Sequence, residues 1–451
     1  MLAQVRIRLG SVPRQTPSGA EAPPTTGEVT VTRYPARVGL LLGTLIPLVL
    51  LQGGCVEQGG EAEPGFSEPM RLDSAGVQIV QSDGRHARGN TAASVDSVPD
   101  VIIGGSENSA EVLLHRVEGV AALDNGSVLV AEGGAHRIMS FGRDGQLRWE
   151  IGRSGEGPGE FRSIELVPPA TQDSVVVFDG RLRRYTSVEP DREDVRTFDA
   201  RHESGRPVGL VGGGVLLSRL EGPLTTGTPG PYRPTVTYKL WAPGQATVDT
   251  VVTLGGRRNF VSLEVSEFPA HLPVFFEVNP SAATDGEDFF LVESPAPEVR
   301  QYDPAGRLKR IVRLREPERT VTEETLGAAI EERAQRYARD ADAVPLLRRA
   351  YQQMPSGTMI PSFEALAVGP RNSVWARLFQ ENGAPEEWMV FSEAGEAVGV
   401  VRMPRGFEMH QTTSDVVLGL WTDSLGVEQV RGHRLRWRSP LSGEPGTEPP
   451  R

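Results

Sequence analysis

The chain has 451 residues and a formal net charge of -12, with 38% hydrophobic and 6% aromatic residues. A nucleic-acid-binding protein usually has a concentrated basic face, so this charge argues against a nucleic-acid partner. A single cysteine excludes a disulfide within the chain and a zinc site built from several cysteines. The 51 glycines and 36 prolines exceed the share of an average domain and indicate many short turns.

The N-terminal part of the chain has the pattern of an export signal. In "RYPARVGLLLGTLIPLVLLQGGC", residues 33–55, two arginines precede an uncharged apolar run of 14 residues. This run is shorter than the roughly 20 residues of a membrane-spanning helix. The pattern predicts a signal peptide over residues 1–54 and a flexible, polar tether over residues 55–70. An uncleaved signal anchor is the alternative, and in either case the folded part is exported.

The end of this segment resembles the signal of bacterial lipoproteins, in which a small residue precedes an acylated cysteine. Gly54 and Cys55 match that pattern, whereas Gln52 stands where the family usually has leucine. The resemblance implies that Cys55 becomes the mature N-terminus and carries lipid, because its thiol is the acylation nucleophile. Several acyl chains would hold the protein at a membrane of the bacterial envelope, on the periplasmic or outer-membrane side. The first ~30 residues are long for a signal start, and we expect a start-site artefact or disorder there.

The rest of the chain is built from a repeat. Residues 119–161 divide into four short runs, and Asn-Gly and Asp-Gly turn signals separate several of them. In the clearest copies an aromatic residue is followed four residues later by glycine: Phe141 and Gly145, Tyr302 and Gly306, Phe391 and Gly395. We expect the aromatic side chain to fill the space between stacked sheets and the glycine to take the positive φ of a turn.

Repeats of 40 to 50 residues with four strands each are typical of β-propellers. The six copies span about residues 110–157, 160–203, 205–256, 276–315, 362–403 and 406–437. The sequence therefore predicts an all-β fold, a six-bladed β-propeller of four-stranded antiparallel blades over residues 71–438, with a disordered tail over 439–451. Either residues 75–80 or residues 100–105 would supply a strand to the last blade and close the ring.

Residues 136–161 resemble an NHL-type repeat, which has a basic-hydrophobic pair, an aromatic, an Asp/Gly turn and a Gly-rich loop that ends in phenylalanine. The matching residues are Arg137, Ile138, Phe141, Asp144, Gly145, Gly152, Gly155, Gly157, Gly159 and Phe161. His136 stands where that family often has asparagine. Over about residues 70–438 the chain resembles bacterial six-bladed β-propeller lipoproteins with NHL-like repeats. The matched motif is structural, so the resemblance implies no catalytic residue.

The stretch "RSGEGPGEFRSI", residues 153–164, raises the question of a phosphate-binding loop. Such a loop needs a following Gly-Lys-Ser/Thr and a helix, and neither is present. The sequence favours a connector between two blades over an anion site. Its structural residues would be Gly155, Gly157, Pro158, Gly159 and Phe161. We expect Pro158 to make the loop rigid and the Phe161 side chain to pack onto the core. Gly157 is expected to have a positive φ.

Residues 316–354 interrupt the β pattern with helical periodicity. Thr322 followed by Glu323 and Glu324 predicts a helix start. An apolar stripe follows at Leu326, Ala329, Ile330 and Ala334. The segment is thus predicted as a helical insertion between blades 4 and 5, which either buttresses the ring or forms a lid over its central channel.

Residues that carry chemistry are dispersed. The seven histidines form no His-x-x-x-His pair, and "TDGED", residues 284–288, is favoured as a hairpin turn over a calcium site. Carboxylates near the predicted inner strands are weak candidates: Glu118, Glu165, Glu277 and Glu364. The sequence assigns no catalytic residue and no metal ligand, and it leaves the cofactor unknown.

The sequence therefore favours an exported, lipid-anchored module that binds a small ligand or an envelope protein. The alternatives are a propeller hydrolase or lyase with a channel-bound metal, and a scaffold within an envelope complex. Three inward-facing carboxylates or histidines around one point would favour the enzyme.

Overall fold

A computed structural model of the chain describes residues 68–105, 112–123, 125–171, 174–189, 194–200, 205–222, 228–242, 245, 248–264, 269–293, 295–380 and 384–438. The fold is mostly β, with several four-stranded antiparallel sheets. The first elements are β1 (Met70–Ser74), β2 (Val77–Asp83), the short helix α1 (Gly84–Gly89) and β3 (Ala93–Ile103). Cys55 and the predicted tail lie outside the described residues.

Consecutive strands then form sheets 1 to 3. Sheet 1 contains β4 (Val117–Ala122), β5 (Val128–Glu132), β6 (Arg137–Phe141) and β7 (Leu147–Ile151). Sheet 2 contains β8 (Glu165–Thr171), β9 (Ser174–Asp179), β10 (Arg184–Glu189) and β11 (Asp194–Asp199). Sheet 3 contains β12 (Arg206–Val211), β13 (Gly214–Glu221), β15 (Thr235–Trp241) and β16 (Val248–Gly255), with the short β14 (Gly230–Tyr232) inserted before β15.

The second half of the chain forms sheets 4 to 6. After β17 (Asn259–Ser262) and β18 (Ala270–Pro273), sheet 4 contains β19 (Ser281–Thr284), β20 (Phe289–Val292), β21 (Glu298–Tyr302) and β22 (Leu308–Arg315). The helices α2 (Glu323–Tyr337) and α3 (Ala343–Gln352) follow. Sheet 5 contains β23 (Phe363–Val368), β24 (Val374–Leu378), β25 (Glu387–Phe391) and β26 (Ala397–Arg402). Sheet 6 contains β27 (Phe407–Thr412), β28 (Val416–Thr422), β29 (Glu428–Trp437) and, at its outer edge, β3.

The first strands of the six sheets contact one another in a cyclic order. The sequence of contacts is β4, β8, β12, β19, β23, β27 and back to β4. The packing is tight between sheets 2, 3 and 4, because a Cβ on Gly209 would lie 2.3 Å from Thr284 Oγ1 and 2.9 Å from the carbonyl oxygen of Pro168. Between the last and first sheets, the backbone N–H of Ala122 donates to Oε1 of Gln411 at 2.5 Å.

The N-terminal strand that joins the last sheet is β3, which includes part of the residue range 100–105. It pairs antiparallel with β29. In addition, Nδ1 of His433 lies 2.8 Å from the carbonyl oxygen of Asp96. The other candidate range, residues 75–80, lies in the β1–β2 hairpin, where β2 pairs in parallel with β22 and extends sheet 4.

The repeated aromatic and glycine positions have the predicted local structure. Phe141, Tyr302 and Phe391 are buried. The glycines four residues later have φ of 74°, 77° and 83°, at Gly145, Gly306 and Gly395. A left-handed backbone favours glycine, so the same turn closes the third and fourth strands in three sheets.

In sheets 1 to 5 the chain passes through four antiparallel strands, so it leaves each of these sheets at the face where it entered. We call this the upper face, at which β4, β8, β12, β19, β23 and β27 begin. The connections from β13 to β15, from β16 to β19 and from β22 to β23 all depart from it. These connections carry the cap, defined as the three-stranded sheet β14-β17-β18 together with α2 and α3.

The cap has its own apolar core. Its buried residues are Val274, Phe275, Phe276, Ile330, Ala334, Tyr351 and Met354. Thr322 caps α2 by accepting a hydrogen bond from the N–H of Thr325 at 3.1 Å, as its position before two glutamates predicts. The small cap sheet was not predicted, because its strands of three or four residues are too short to show an alternating pattern. No helix in the described ranges is long and apolar enough to span a bilayer.

Candidate functional site

The glycine-rich connector, residues 152–164, joins β7 to β8 at the upper face. Phe161 at its end is fully buried in the core between sheets 1 and 2. The N–H of Phe161 donates to the carbonyl of Arg153 at 2.9 Å, and the N–H of Gly155 donates to the carbonyl of Phe161 at 3.2 Å. These two backbone hydrogen bonds close the connector into a loop.

The polar groups of this loop bond to one another. The N–H groups of Glu156 and Gly157 donate to Oε2 of Glu160 at 3.0 and 2.9 Å. The guanidinium of Arg184 donates to the carbonyls of Glu156, Gly157 and Glu160 at 2.7, 2.8 and 2.6 Å. The Gly157 N–H, with help from Arg153, holds the pKa of Glu160 below its usual value. An external anion would have to displace the Glu160 carboxylate.

Gly157 was expected to have a positive φ, and this expectation was wrong. Gly152 and Gly159 have φ of 115° and 71° instead. A Cβ on Gly152 would also lie 2.7 Å from the carbonyl oxygen of His136 and 2.9 Å from the ring of Phe161. His136 itself has φ of 58°, a left-handed conformation that asparagine adopts more readily than most residues.

A buried carboxylate that was not predicted from the sequence lies beside the connector. Asp179 is fully buried. Its oxygens accept hydrogen bonds from four backbone N–H groups, those of Arg162, Ser163, Arg181 and Leu182, at 2.7 to 3.2 Å. The Asp-Gly pair after an apolar strand was the only signal in the sequence, and it indicates a turn rather than this anchor.

One group of charges at the upper face comes from sheets 1, 2 and 3. Glu118 lies near the start of β4 and pairs with Arg116 at 2.8 Å. Burial raises the pKa of Glu165, at the start of β8, while the charge of Arg206 on β12 opposes this rise and the charge of Glu118 adds to it. Three first strands therefore bring Glu118, Glu165 and Arg206 within electrostatic reach of one another.

A second group comes from sheets 5 and 6. Arg377 on β24 pairs with Glu364 on β23 at 2.9 Å and with Glu386 at 2.8 Å. Burial raises the pKa of Glu364 against the effect of Arg377. Burial lowers the pKa of His410 on β27, although Glu408 and Glu386 oppose that shift. We call these two groups together the mouth cluster. Its arginines and His410 had no signal in the sequence beyond their positions on strands.

Glu277 lies outside the mouth cluster. Its carboxylate accepts hydrogen bonds from Arg258 Nε at 2.5 Å and from Arg233 Nη2 at 2.8 Å, at the base of the cap. Of the four carboxylates selected from sequence, Glu118 and Glu165 thus lie in one group and Glu364 in the other.

Both groups of the mouth cluster consist of carboxylates beside arginine side chains. Within the described residues, no three histidine, cysteine or carboxylate side chains converge in a way that would hold a metal. The residues 284–288 form a hairpin turn, in which Asp285 Oδ1 accepts from the N–H groups of Glu287 and Asp288 at 2.9 and 2.7 Å. A cavity of about 200 Å³ lies between sheets 4 and 5 at the opposite, lower face, lined in part by Asp288, Lys309 and Arg310.

Comparison with known proteins gives likenesses of fold. No family model matches the chain, and no curated protein matches it in sequence. The chain is similar to a protein of Bacteroides fragilis NCTC 9343 with a provisional description as exported, at 8% identity and a TM-score of 0.44, covering 80% of this chain and 100% of that one.

Two further solved structures are similar to the chain. A member of the DUF4221 family from Bacteroides vulgatus has 9% identity and a TM-score of 0.44, with 77% of this chain and 100% of that one covered. Virginiamycin B lyase from Staphylococcus aureus has 10% identity and a TM-score of 0.34, with 72% and 97% covered. At these scores the likenesses carry no argument about function.

Proposed function

We propose that this protein is an exported, lipid-anchored, six-bladed β-propeller that binds a positively charged ligand or protein segment at its upper face. Six sheets whose first strands follow a cyclic order support the ring. The pairing of β3 with β29 supports its closure, since a strand from the start of the chain then completes the last blade. The apolar run before Cys55 supports export and lipid attachment.

The charge balance of the mouth cluster carries the functional part of the proposal. The two groups at the upper face together contain five carboxylates (Glu118, Glu165, Glu364, Glu386 and Glu408) and three guanidinium groups (Arg116, Arg206 and Arg377), which interact within each group by ion pairs or through their charges. The excess of two negative charges suits a cationic group, and the surrounding arginines fix the carboxylates in place.

A screen for thermal stabilisation tests this function. The probes are spermidine, arginine-containing dipeptides and a neutral sugar, each added to the full chain in detergent. We expect the cationic probes to raise the melting temperature of the wild type and to lose this effect in the Glu165→Gln/Glu364→Gln double variant. The Glu287→Gln variant is the matched control, because its exposed side chain lies in a turn of the lower face.

Two outcomes would contradict the proposal. One is equal stabilisation of the double variant and the control, which would place binding elsewhere. The other is about one equivalent of a bound metal in the purified wild type that the double variant lacks, which would favour the alternative of a metal-dependent hydrolase or lyase.

Lipid attachment has its own test. In the wild type we expect labelled fatty acid to be incorporated at Cys55 and the protein to fractionate with membranes. Cys55→Ser should lose the label, because serine lacks the thiol that is acylated. Absence of label in the wild type would show that the lipoprotein interpretation is wrong, while leaving the ligand screen unaffected.

A further inference from the structure

Two arginines of the cap form no ion pair with any carboxylate in the part of the chain that the structure describes. Arg333 on α2 places its guanidinium carbon 3.6 Å from the centre of the Phe275 ring and donates to the carbonyl of Pro273 at 2.6 Å. In the described residues, no carboxylate pairs with Arg333. Its neighbour Glu332 pairs with Arg336 at 3.8 Å. Burial lowers the pKa of Arg333, and the nearby charge of Arg257 adds to this shift.

Arg257, just before β17, is the second such residue. Its side chain is half-buried, and its buried Nε has no hydrogen-bond partner within the described part of the chain. Burial lowers the pKa of Arg257, and Tyr232 opposes the shift. A half-buried cation with no carboxylate partner among the described residues is costly for a folded protein, and an external anion would offset that cost.

The carboxylate at the base of the cap is already engaged. Glu277 accepts hydrogen bonds from Arg258 and Arg233. Arg258 in addition donates to the carbonyl of Ser356 at 2.9 Å. Two of the four guanidinium groups at the base of the cap therefore pair with Glu277, and within the described residues Arg257 and Arg333 have no ion pair.

Neutral donors lie beside Arg257. The hydroxyl of Tyr232 lies 2.8 Å from Nδ1 of His271, with the two rings edge to face. The sheet register aligns Tyr232 with Asn259 and Asn259 with Pro273, whose carbonyl accepts from Arg333. Tyr232, Arg257 and Arg333 therefore lie around the same part of the small cap sheet, where Arg257 is within electrostatic reach of both Tyr232 and Arg333.

We propose that this cluster, the cap anion site, binds a phosphate group through Arg257 and Arg333, with Tyr232 as an additional donor. Guanidinium groups match phosphate oxygens because they donate two parallel hydrogen bonds in a fixed plane. The phosphate would belong either to a soluble phosphomonoester or to the diester headgroup of a phospholipid. The site is separate from the mouth cluster, and the proposal does not depend on a ligand there.

Titration calorimetry at constant ionic strength tests the site, with the full chain in detergent. The probes are inorganic phosphate and glycerophosphoglycerol, a soluble diester headgroup. Tighter binding of inorganic phosphate would indicate the monoester source, and tighter binding of the diester would indicate the lipid source. Binding of neither probe at millimolar concentration would overturn the proposal.

Substitutions locate the binding. We expect Arg257→Gln to weaken the preferred probe about tenfold or more, since one charged partner is lost. Arg333→Lys should also weaken it, because lysine keeps the charge but lacks the planar fork. Arg307→Gln removes the same charge from an exposed turn of the lower face, where it pairs with Asp303, and should bind as the wild type does. Equal loss in Arg307→Gln and Arg257→Gln would show unspecific attraction and overturn the site.

Discussion

The connector and the cap both leave the sheets at the upper face, and both hold arginines against backbone carbonyls, but they differ in what remains unpaired. In the connector, Arg184 donates to three carbonyls and Glu160 occupies the exposed N–H groups. In the cap, Nε of Arg257 has no hydrogen-bond partner among the described residues, and Arg333 contacts an aromatic ring and one carbonyl. The polar groups of the glycine-rich loop therefore bond to one another, whereas the cap keeps a guanidinium N–H without a partner among the described residues.

This contrast separates stability from binding. A segment whose polar groups pair with one another contributes to folding, and its substitutions should lower the free energy of unfolding. A segment that keeps unpaired cations costs stability, and its substitutions should alter binding instead. The following experiments test that difference.

The largest effect should come from Phe161→Ala. Phe161 is fully buried between sheets 1 and 2, so truncation would leave a cavity and cost about 3–5 kcal/mol of the free energy of unfolding. Urea denaturation measures it. Leu425→Ala is the control, because that side chain is 87% exposed and its loss should change little. Similar midpoints for both variants would show that the connector does not anchor the two sheets.

Gly152→Ala should lower the free energy of unfolding by about 2–3 kcal/mol. Gly152 has a φ of 115°, and a Cβ there would lie only 2.7 and 2.9 Å from neighbouring atoms. Gly159 has a φ of 71°, but a Cβ there would point into open space. Gly159→Ala should therefore lower the free energy of unfolding by only about 1 kcal/mol. Thermal melting of both variants separates crowding from backbone strain. A larger loss in Gly159→Ala would contradict this assignment.

A pair of arginine substitutions tests the contrast directly. Arg184→Gln removes charged hydrogen bonds to three carbonyls and should lower the free energy of unfolding by about 1.5–3 kcal/mol. Arg257→Gln removes an unpaired, half-buried charge and should leave the melting temperature unchanged or raise it. Destabilisation of Arg257→Gln to the same extent as Arg184→Gln would remove the distinction between the two regions.

The smallest effect should be a change in how stability depends on pH in acid. The pKa of Glu160 is lowered in the folded state by the Gly157 N–H and Arg153, so its contribution is present above the unfolded pKa and is lost as pH falls through the folded value. In melts between pH 6 and pH 3, Glu160→Gln should show a shallower loss of stability than the wild type. Glu287→Gln, in an exposed turn, should follow the wild type, and an identical slope in all three proteins would contradict the role of Glu160.

Local signals explain what could be predicted from the sequence. The turn glycines Gly145, Gly306 and Gly395 and the helix cap at Thr322 depend on neighbouring residues along the chain, so their φ values and hydrogen bonds follow from short patterns. The mostly β composition follows from the same turn signals. The expectation for Gly157 was wrong because glycine spacing alone does not show which member of a Gly-rich loop takes the left-handed conformation.

The sequence by itself determined the period of the repeats, the buried aromatics and the position of the helices, because alternation and capping act over a few residues. Only the tertiary structure decided that β3 joins β29, that Glu165 faces Arg206, and that Glu277 is taken by Arg233 and Arg258. These outcomes depend on contacts between residues far apart in the chain. The unpaired state of Arg257 is decided in the same way, because it follows from which neighbours the available carboxylates already bind.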